Sequence, residues 1–231
     1  MHDITDILIK IYGAIGSLTC HQLPSRTIYI NSIPLPLCAR DTGIYIGFFI
    51  SLIYIYINKR SKVDLPPDIK STLILCFLML FMIIDGGTSY LNIRETNNII
   101  RYFSGALFGL GLPFFLIPAA NYDPMIKSSN KSLKNISEII FLLIANIVVG
   151  LLILKTDIFS WVLIATIIIG SLIYTIGRIV FTVVKRTTSL RRINSIFLVT
   201  GGTIGILIIL FCISNFILQP LKAILLNNIS R

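Results

Sequence analysis

The sequence predicts an all-α integral membrane protein, a polytopic bundle of six or seven transmembrane helices. Three observations carry this. Of 231 residues, 55% are apolar and only 13% are charged, against roughly 25% charged in soluble domains. The mean hydropathy is +0.87. The apolar residues are also gathered into runs, and a membrane helix needs about 20 of them in sequence. A chain with so few charges cannot cover a water-facing surface, which excludes a soluble enzyme, a secreted disulfide scaffold and a free nucleic-acid-binding domain.

The first apolar segment, Ile4–Cys20, is the weakest because it carries Asp6 and Lys10. It reads either as a span or as an amphipathic helix lying in the interface. It does not read as a cleavable leader, since Asp3 and Asp6 occupy the place of a basic region and no Ala-x-Ala follows. Six stronger segments come next: Thr42–Asn58, Ser71–Tyr90, Tyr102–Ala120, Ile136–Leu154, Phe159–Val184 and Ile193–Phe216. Leu218–Asn228 reads as a short interfacial helix.

The formal charge is +10. These cations sit between apolar runs with no interleaved stacking aromatics, the pattern of topology signals and anionic-lipid contacts rather than of nucleic-acid binding. If the first segment spans, one side collects Lys59, Arg60, Lys62, Lys70, Lys127, Lys131, Lys134, Lys185, Arg186, Arg191 and Arg192. The other collects Arg26, Arg40, Arg94, Arg101, Lys155, Lys222 and Arg231. Eleven against seven places the first side and the N-terminus in the cytoplasm, and the 21–41 loop outside; if the first segment does not span, the N-terminus joins that loop on the outer side and the later loops keep their places.

No repeat is present, but the chain reads as two regions, 1–120, whose residues 20–118 hold most of the unusual polar side chains, and 121–231, additional apolar helices. The densest polar cluster runs from Cys20-His21-Gln22 through three prolines to Cys38-Ala39-Arg40-Asp41. Prolines make this loop stiff and extended. Three readings of its cysteines stand open. Cys20, His21, Cys38 and Asp41 are the side-chain types that hold zinc or iron, although adjacent Cys20 and His21 diverge and one of such a pair usually ligates. Alternatively Cys20 and Cys38 form a disulfide, or both are small packing residues. Cys76 and Cys212 lie mid-span and read as inert buried thiols.

Asp85 follows an apolar run and precedes Gly86-Gly87, then Arg94-Glu95-Thr96-Asn97 and Arg101. A carboxylate at that depth faces the bundle interior or water and meets a partner. Asp85 locked to Arg94 or Arg101, an anion or headgroup site built on Arg40, Arg94, Arg101 and Asn97, and a proton relay through a catalytic Asp85 are the alternatives. The second rests on the guanidinium fork, which binds phosphate and carboxylate bidentately. Gly43-x-x-x-Gly47 and Gly105-x-x-x-Gly109 permit close helix crossing, within one chain or between copies. Pro113 and Pro118 predict a kinked helix. No phosphate-cradling Gly-Lys-Ser/Thr loop, His-Glu-x-x-His or Gly-x-Ser-x-Gly occurs.

Taken in order, Cys20-His21-Gln22, Arg26, Leu37-Cys38-Ala39-Arg40, Gly43-Ile44-Tyr45-x-Gly47, Asp85-Gly86, Arg94-Glu95-Thr96-Asn97, Arg101 and Gly105 resemble a prokaryotic membrane-protein family catalogued as domain of unknown function 2085. The resemblance covers about residues 20–118. In that pattern Cys-Ala-Arg is followed by a second Cys and Asp-Gly-x-x by Gln; here those positions are Asp41 and Ser89. Asp41 keeps metal binding through oxygen and removes a Cys-x-x-Cys redox couple. The resemblance implies a prokaryotic plasma membrane and no particular activity. The leading expectation is a protein that binds or processes a polar-headed lipid or other anionic ligand at an outward-facing, metal-containing interfacial site. The alternatives are a small cation-coupled transporter using Asp85 and a non-catalytic accessory subunit.

Overall fold

The computed structural model describes residues 2–91, 93–122, 131–155, 160–187 and 192–213. Seven helices are present among them: α1 (His2–Gly16), α2 (Ala39–Ile57), α3 (Ile69–Tyr90), α4 (Asn98–Asn121), α5 (Ile136–Lys155), α6 (Trp161–Thr187) and α7 (Arg192–Ile213). Each expected apolar segment becomes a helix within a few residues of its sequence bounds. Five of them, α2 to α6, are long and apolar enough to cross a membrane. The protein is thus a multi-pass membrane protein with five candidate spans among the described residues. α1 has 15 residues, about 22 Å at 1.5 Å per residue, short of a hydrocarbon core of about 30 Å. It lies against α6, with the Tyr12 and Thr166 hydroxyls 2.9 Å apart and Tyr12 stacked on Trp161 at 6.1 Å. The expected helix at Leu218–Asn228 lies outside the described residues.

The all-α expectation needs one correction. The stretch between α1 and α2 holds an antiparallel hairpin, β1 (Thr27–Ile30) and β2 (Ile33–Cys38). Asn31 and Ser32 connect the strands with φ of 49° and 65°. Two successive left-handed residues make the tight turn whose twist suits a hairpin. Prolines at 34 and 36 do not prevent this, because a two-stranded ribbon has an outer edge that needs no donors. The hairpin is part of the core: Ile28, Ile30, Leu35 and Leu37 are buried with Tyr102 of α4 and Ile164, Ala165 and Ile168 of α6. Trp161 Nε1–H donates to the Pro34 carbonyl at 2.9 Å, and Gln22 Nε2 donates to the Pro36 and Gly13 carbonyls at 2.8 and 2.7 Å. These three bonds fix the hairpin to α6 and α1.

α2 and α4 form the centre, running parallel with α3 as the return stroke. A Cβ on Gly43 or Gly47 would collide with the carbonyl of Tyr102 or Ala106. One on Gly105 or Gly109 would collide with that of Arg40 or Ile44. The two glycine motifs therefore face each other within the chain, main chain against main chain. α4 continues through Pro113 and Pro118 as one helix. Pro118 has no N–H to give the Phe114 carbonyl; the Ser132 hydroxyl donates to it instead, at 3.1 Å. α3 lies on the outside, with Leu73, Phe77, Leu80, Phe81 and Ile84 exposed on its outer face. Cys76 and Cys212 are also on the outer surface; the expectation that they are buried is corrected, because α3 and α7 turn these faces away from the other helices.

Candidate functional site

The hairpin, the N-termini of α2 and α4 and the C-terminus of α3 meet at one end of the bundle. Asp85, on the last turns of α3, is buried there. Its carboxylate accepts from Arg40 Nη2 at 2.5 Å, Arg94 Nη2 at 2.6 Å, Thr96 Oγ1 at 2.9 Å and Ser104 Oγ at 3.2 Å. Four donors from α2, α4 and the α3–α4 connection converge on one buried carboxylate, which satisfies its acceptors and meets its charge with two guanidiniums. Arg94 is one of the two partners expected from sequence. The other is Arg40, in place of Arg101, because Arg40 stands on the first turn of α2 directly opposite Asp85.

Arg101 is left for other work. Its Nη1 donates to Asn98 Oδ1 at 3.1 Å, and it lies close enough to Arg26 and Arg40 to repel both. Arg26 stands at the end of the short 3₁₀ turn Pro24–Arg26. Its guanidinium carbon is 5.8 Å from the centre of the Tyr90 ring, and that of Arg40 is 5.9 Å from the same ring. Tyr90 thus serves as an aromatic surface for two cations. Asn97 caps α4: its side-chain oxygen accepts from the Ile100 N–H at 2.8 Å. It lines neither cavity described next.

Two adjoining cavities open at this end. The first, about 600 Å³, is lined by Arg26, Arg40 and Arg101 and by the apolar side chains Leu23, Met82 and Ile83. Ile83 is itself exposed on the outer surface of α3, so the apolar wall continues onto the face that meets lipid. The second, about 550 Å³, is polar and includes Ser25, Ser89, Arg94, Glu95 and Thr96. Arg26 and Arg101 line both cavities and form the partition between them. Asp85 lines neither; it stands behind Arg40 and Arg94 and holds them.

Cys20, His21, Cys38 and Asp41 all line the first cavity. The ligand atoms of Cys20, Cys38 and Asp41 lie within 4.8 Å of one another. His21 is outside that cluster, on the exposed side of the Cys20–His21 step, as divergence of neighbouring side chains predicts. Cys20 and Cys38 are free thiols, so the disulfide alternative is not formed. Instead the Cys38 N–H points at Cys20 Sγ at 3.2 Å, and the Cys38 thiol donates to Asp41 Oδ2 at 3.2 Å. The contact with Cys20, burial and the Asp41 carboxylate all push the Cys38 thiol up from its ordinary range.

Sequence reasoning missed Arg26 as a site residue, the Arg40–Asp85 pair, Ser104 as a donor and Tyr90 as an aromatic surface. Arg26 and Arg40 were visible as loop cations. The spatial return of α3 onto the N-terminus of α2 was not.

The comparisons with known proteins agree with the membrane architecture. Residues 20–115 match the family described as "Predicted membrane protein (DUF2085)", a range that contains every site residue named above. An uncharacterised protein of Methanocaldococcus jannaschii is 34% identical over 106 residues, covering 46% of this chain and 65% of that protein. The chain thus spans just under two thirds of that relative. An uncharacterised protein of Methanothermobacter thermautotrophicus is 34% identical over 95 residues, covering 40% of this chain and 79% of that protein. No solved structure matches the chain.

Proposed function

The chain belongs to the DUF2085 family of predicted membrane proteins, and from that premise we propose that it binds an anionic amphiphile, of the polar-headed lipid class, at the arginine-walled end of its bundle. One observation carries the reading. Arg26, Arg40 and Arg101 share a cavity with Leu23, Met82 and Ile83, at the end of helices long enough to span a bilayer. A phosphate or carboxylate meets the guanidiniums, while a hydrocarbon tail lies along the apolar wall and leaves beside Ile83. The single charge of Asp85 is shared by Arg40 and Arg94, and Arg26 and Arg101 have no carboxylate paired with them among the described residues. In this reading Asp85 is a positioning group that aims Arg40 and Arg94. The loop-charge count favours the outer side of a prokaryotic plasma membrane for this end.

The test is titration of the purified protein in neutral detergent with dodecyl phosphate and, separately, with inorganic phosphate. Saturable binding of dodecyl phosphate is expected, weakened about ten- to a hundredfold in each of Arg26→Ala and Arg101→Ala, since a charge-assisted hydrogen bond contributes about 1.5–3 kcal/mol. Tight binding of inorganic phosphate as well would make the ligand a free anion rather than a lipid. Binding that ignores both arginine substitutions would overturn the site.

A further inference from the structure

We propose that Cys20, Cys38 and Asp41 form a three-ligand site for a thiophilic divalent cation of the zinc class, with its remaining coordination position open to the 600 Å³ cavity. Two thiolates and one carboxylate oxygen are a donor set suited to zinc. The three ligand atoms come from two places in the sequence: Cys20 beyond the end of α1, and Cys38 at the end of β2 with Asp41 three residues on, in the first turn of α2. They are nevertheless within 4.8 Å of one another, and small side-chain rotations would bring them around one ion.

Two features set this apart from packing or a weak surface cluster. The hairpin holds Cys38 opposite Thr27 in register, and the bonds of Gln22 to α1 and β2 hold the Cys20 end, so the site is supported before any ion arrives. The Cys38 N–H already points at Cys20 Sγ; main-chain N–H donation to sulfur stabilises a thiolate ligand, the supporting contact that metal sites use. The cation displaces the two thiol protons to solvent as Cys20 and Cys38 become thiolates, while Asp41 ligates as the carboxylate. Three protein ligands with a fourth position open is the arrangement of zinc sites that bind water or substrate, whereas structural sites close with four. The open position faces the same space as Arg26, Arg40 and Arg101, so an oxygen of an anionic ligand reaches cation and guanidinium together. The metal site does not rest on the amphiphile reading, since it is measured with no amphiphilic ligand added.

The purified chain is equilibrated with Zn²⁺, desalted and analysed for metal and free thiols, and a parallel sample is loaded with Co²⁺ for its spectrum. The expected result is one zinc per chain, two of four thiols protected, and a thiolate-to-cobalt charge-transfer band. Cys20→Ser and Cys38→Ser should each remove the band, and Asp41→Asn should weaken binding at least tenfold. Because serine variants can fail to fold, Asp41→Cys is the companion: a third thiolate should strengthen the band and tighten binding more than tenfold. Azide added to the cobalt protein should shift its spectrum through the open position, and Arg101→Ala should retain the metal. Four free thiols with no retained metal, or metal retained equally in the Cys20 and Cys38 variants, would overturn the site. A cobalt spectrum indifferent to azide would overturn the open position.

Discussion

The two ends of the bundle each hold an ion pair, buried on the Asp85 side at one end and part-buried at the other, and they are built differently. At the end away from the hairpin, Arg60 and Glu138 meet one to one, Nη1 to Oε2 at 2.7 Å and Nη2 to Oε1 at 2.9 Å. The Arg60 guanidinium also lies 5.9 Å from the centre of the Tyr54 ring. Charge, geometry and hydrogen bonds are complete there, and neither residue lines a cavity described above. At the hairpin end one carboxylate, Asp85, serves two arginines, and two more arginines stand nearby against cavities. The first arrangement fastens the 58–68 connection to α5. The second leaves positive charge facing open space, which fastening does not require. Under the proposed function, the contrast separates an ion pair that holds helices together from one that also presents a surface to an anion.

The comparison can be broken most severely at Asp85. Asp85→Asn leaves the largely covered Arg40 without its counter-charge, and removing one partner of a buried pair costs up to about 3–5 kcal/mol. Thermal unfolding in detergent should register that loss, and a change below about 1 kcal/mol would deny Asp85 its organising role. Next comes Gly105→Val. Its side chain has nowhere to go but into the Arg40 carbonyl, and overpacking costs about 1–3 kcal/mol. Dodecyl phosphate binding should fall with it, because Arg40 and Arg101 move apart, while the Arg60–Glu138 end stays intact. If binding survives, the arginine spacing is not set by this crossing. The smallest effect should come from Arg60→Met combined with Glu138→Leu. Exchanging a buried pair for apolar residues is often neutral or stabilising by about 1–4 kcal/mol and a part-buried pair has less to lose, so this variant should melt no lower than the parent and bind ligand unchanged. Lost ligand binding would show that the two ends are coupled.

Much of this was legible in the residues, for identifiable reasons. Helices announce themselves through long apolar runs, and α2 to α6 appear where those runs lie. The hairpin was written more quietly. Thr27–Ile30 is β-branched and aromatic and ends at Asn31-Ser32, a turn signal that the prolines of β2 masked. The glycine spacings foretold a close crossing, and the fold supplied their partners as each other. Pairing was harder to read. Asp85 and Arg40 are 45 residues apart, and only the α3 return brings them together; local spacing pointed to Arg94 and missed Arg40. Arg26 went unselected because nothing in its neighbourhood distinguishes it from any loop cation until Tyr90 and Arg101 arrive beside it.

The crossing of α2 and α4 carries one more consequence. Arg40 lies one turn before Gly43, and Arg101 one turn before Gly105. Where helices touch through side chains, rotamer changes let them slide; here carbonyls meet glycines, and neither helix can slip or turn without collision. Arg40 and Arg101 are therefore mounted like the jaws of a fixed caliper. In the reading proposed above, an anion that reaches both guanidiniums spans an interval fixed at the main chain, and only the two side chains adjust to it.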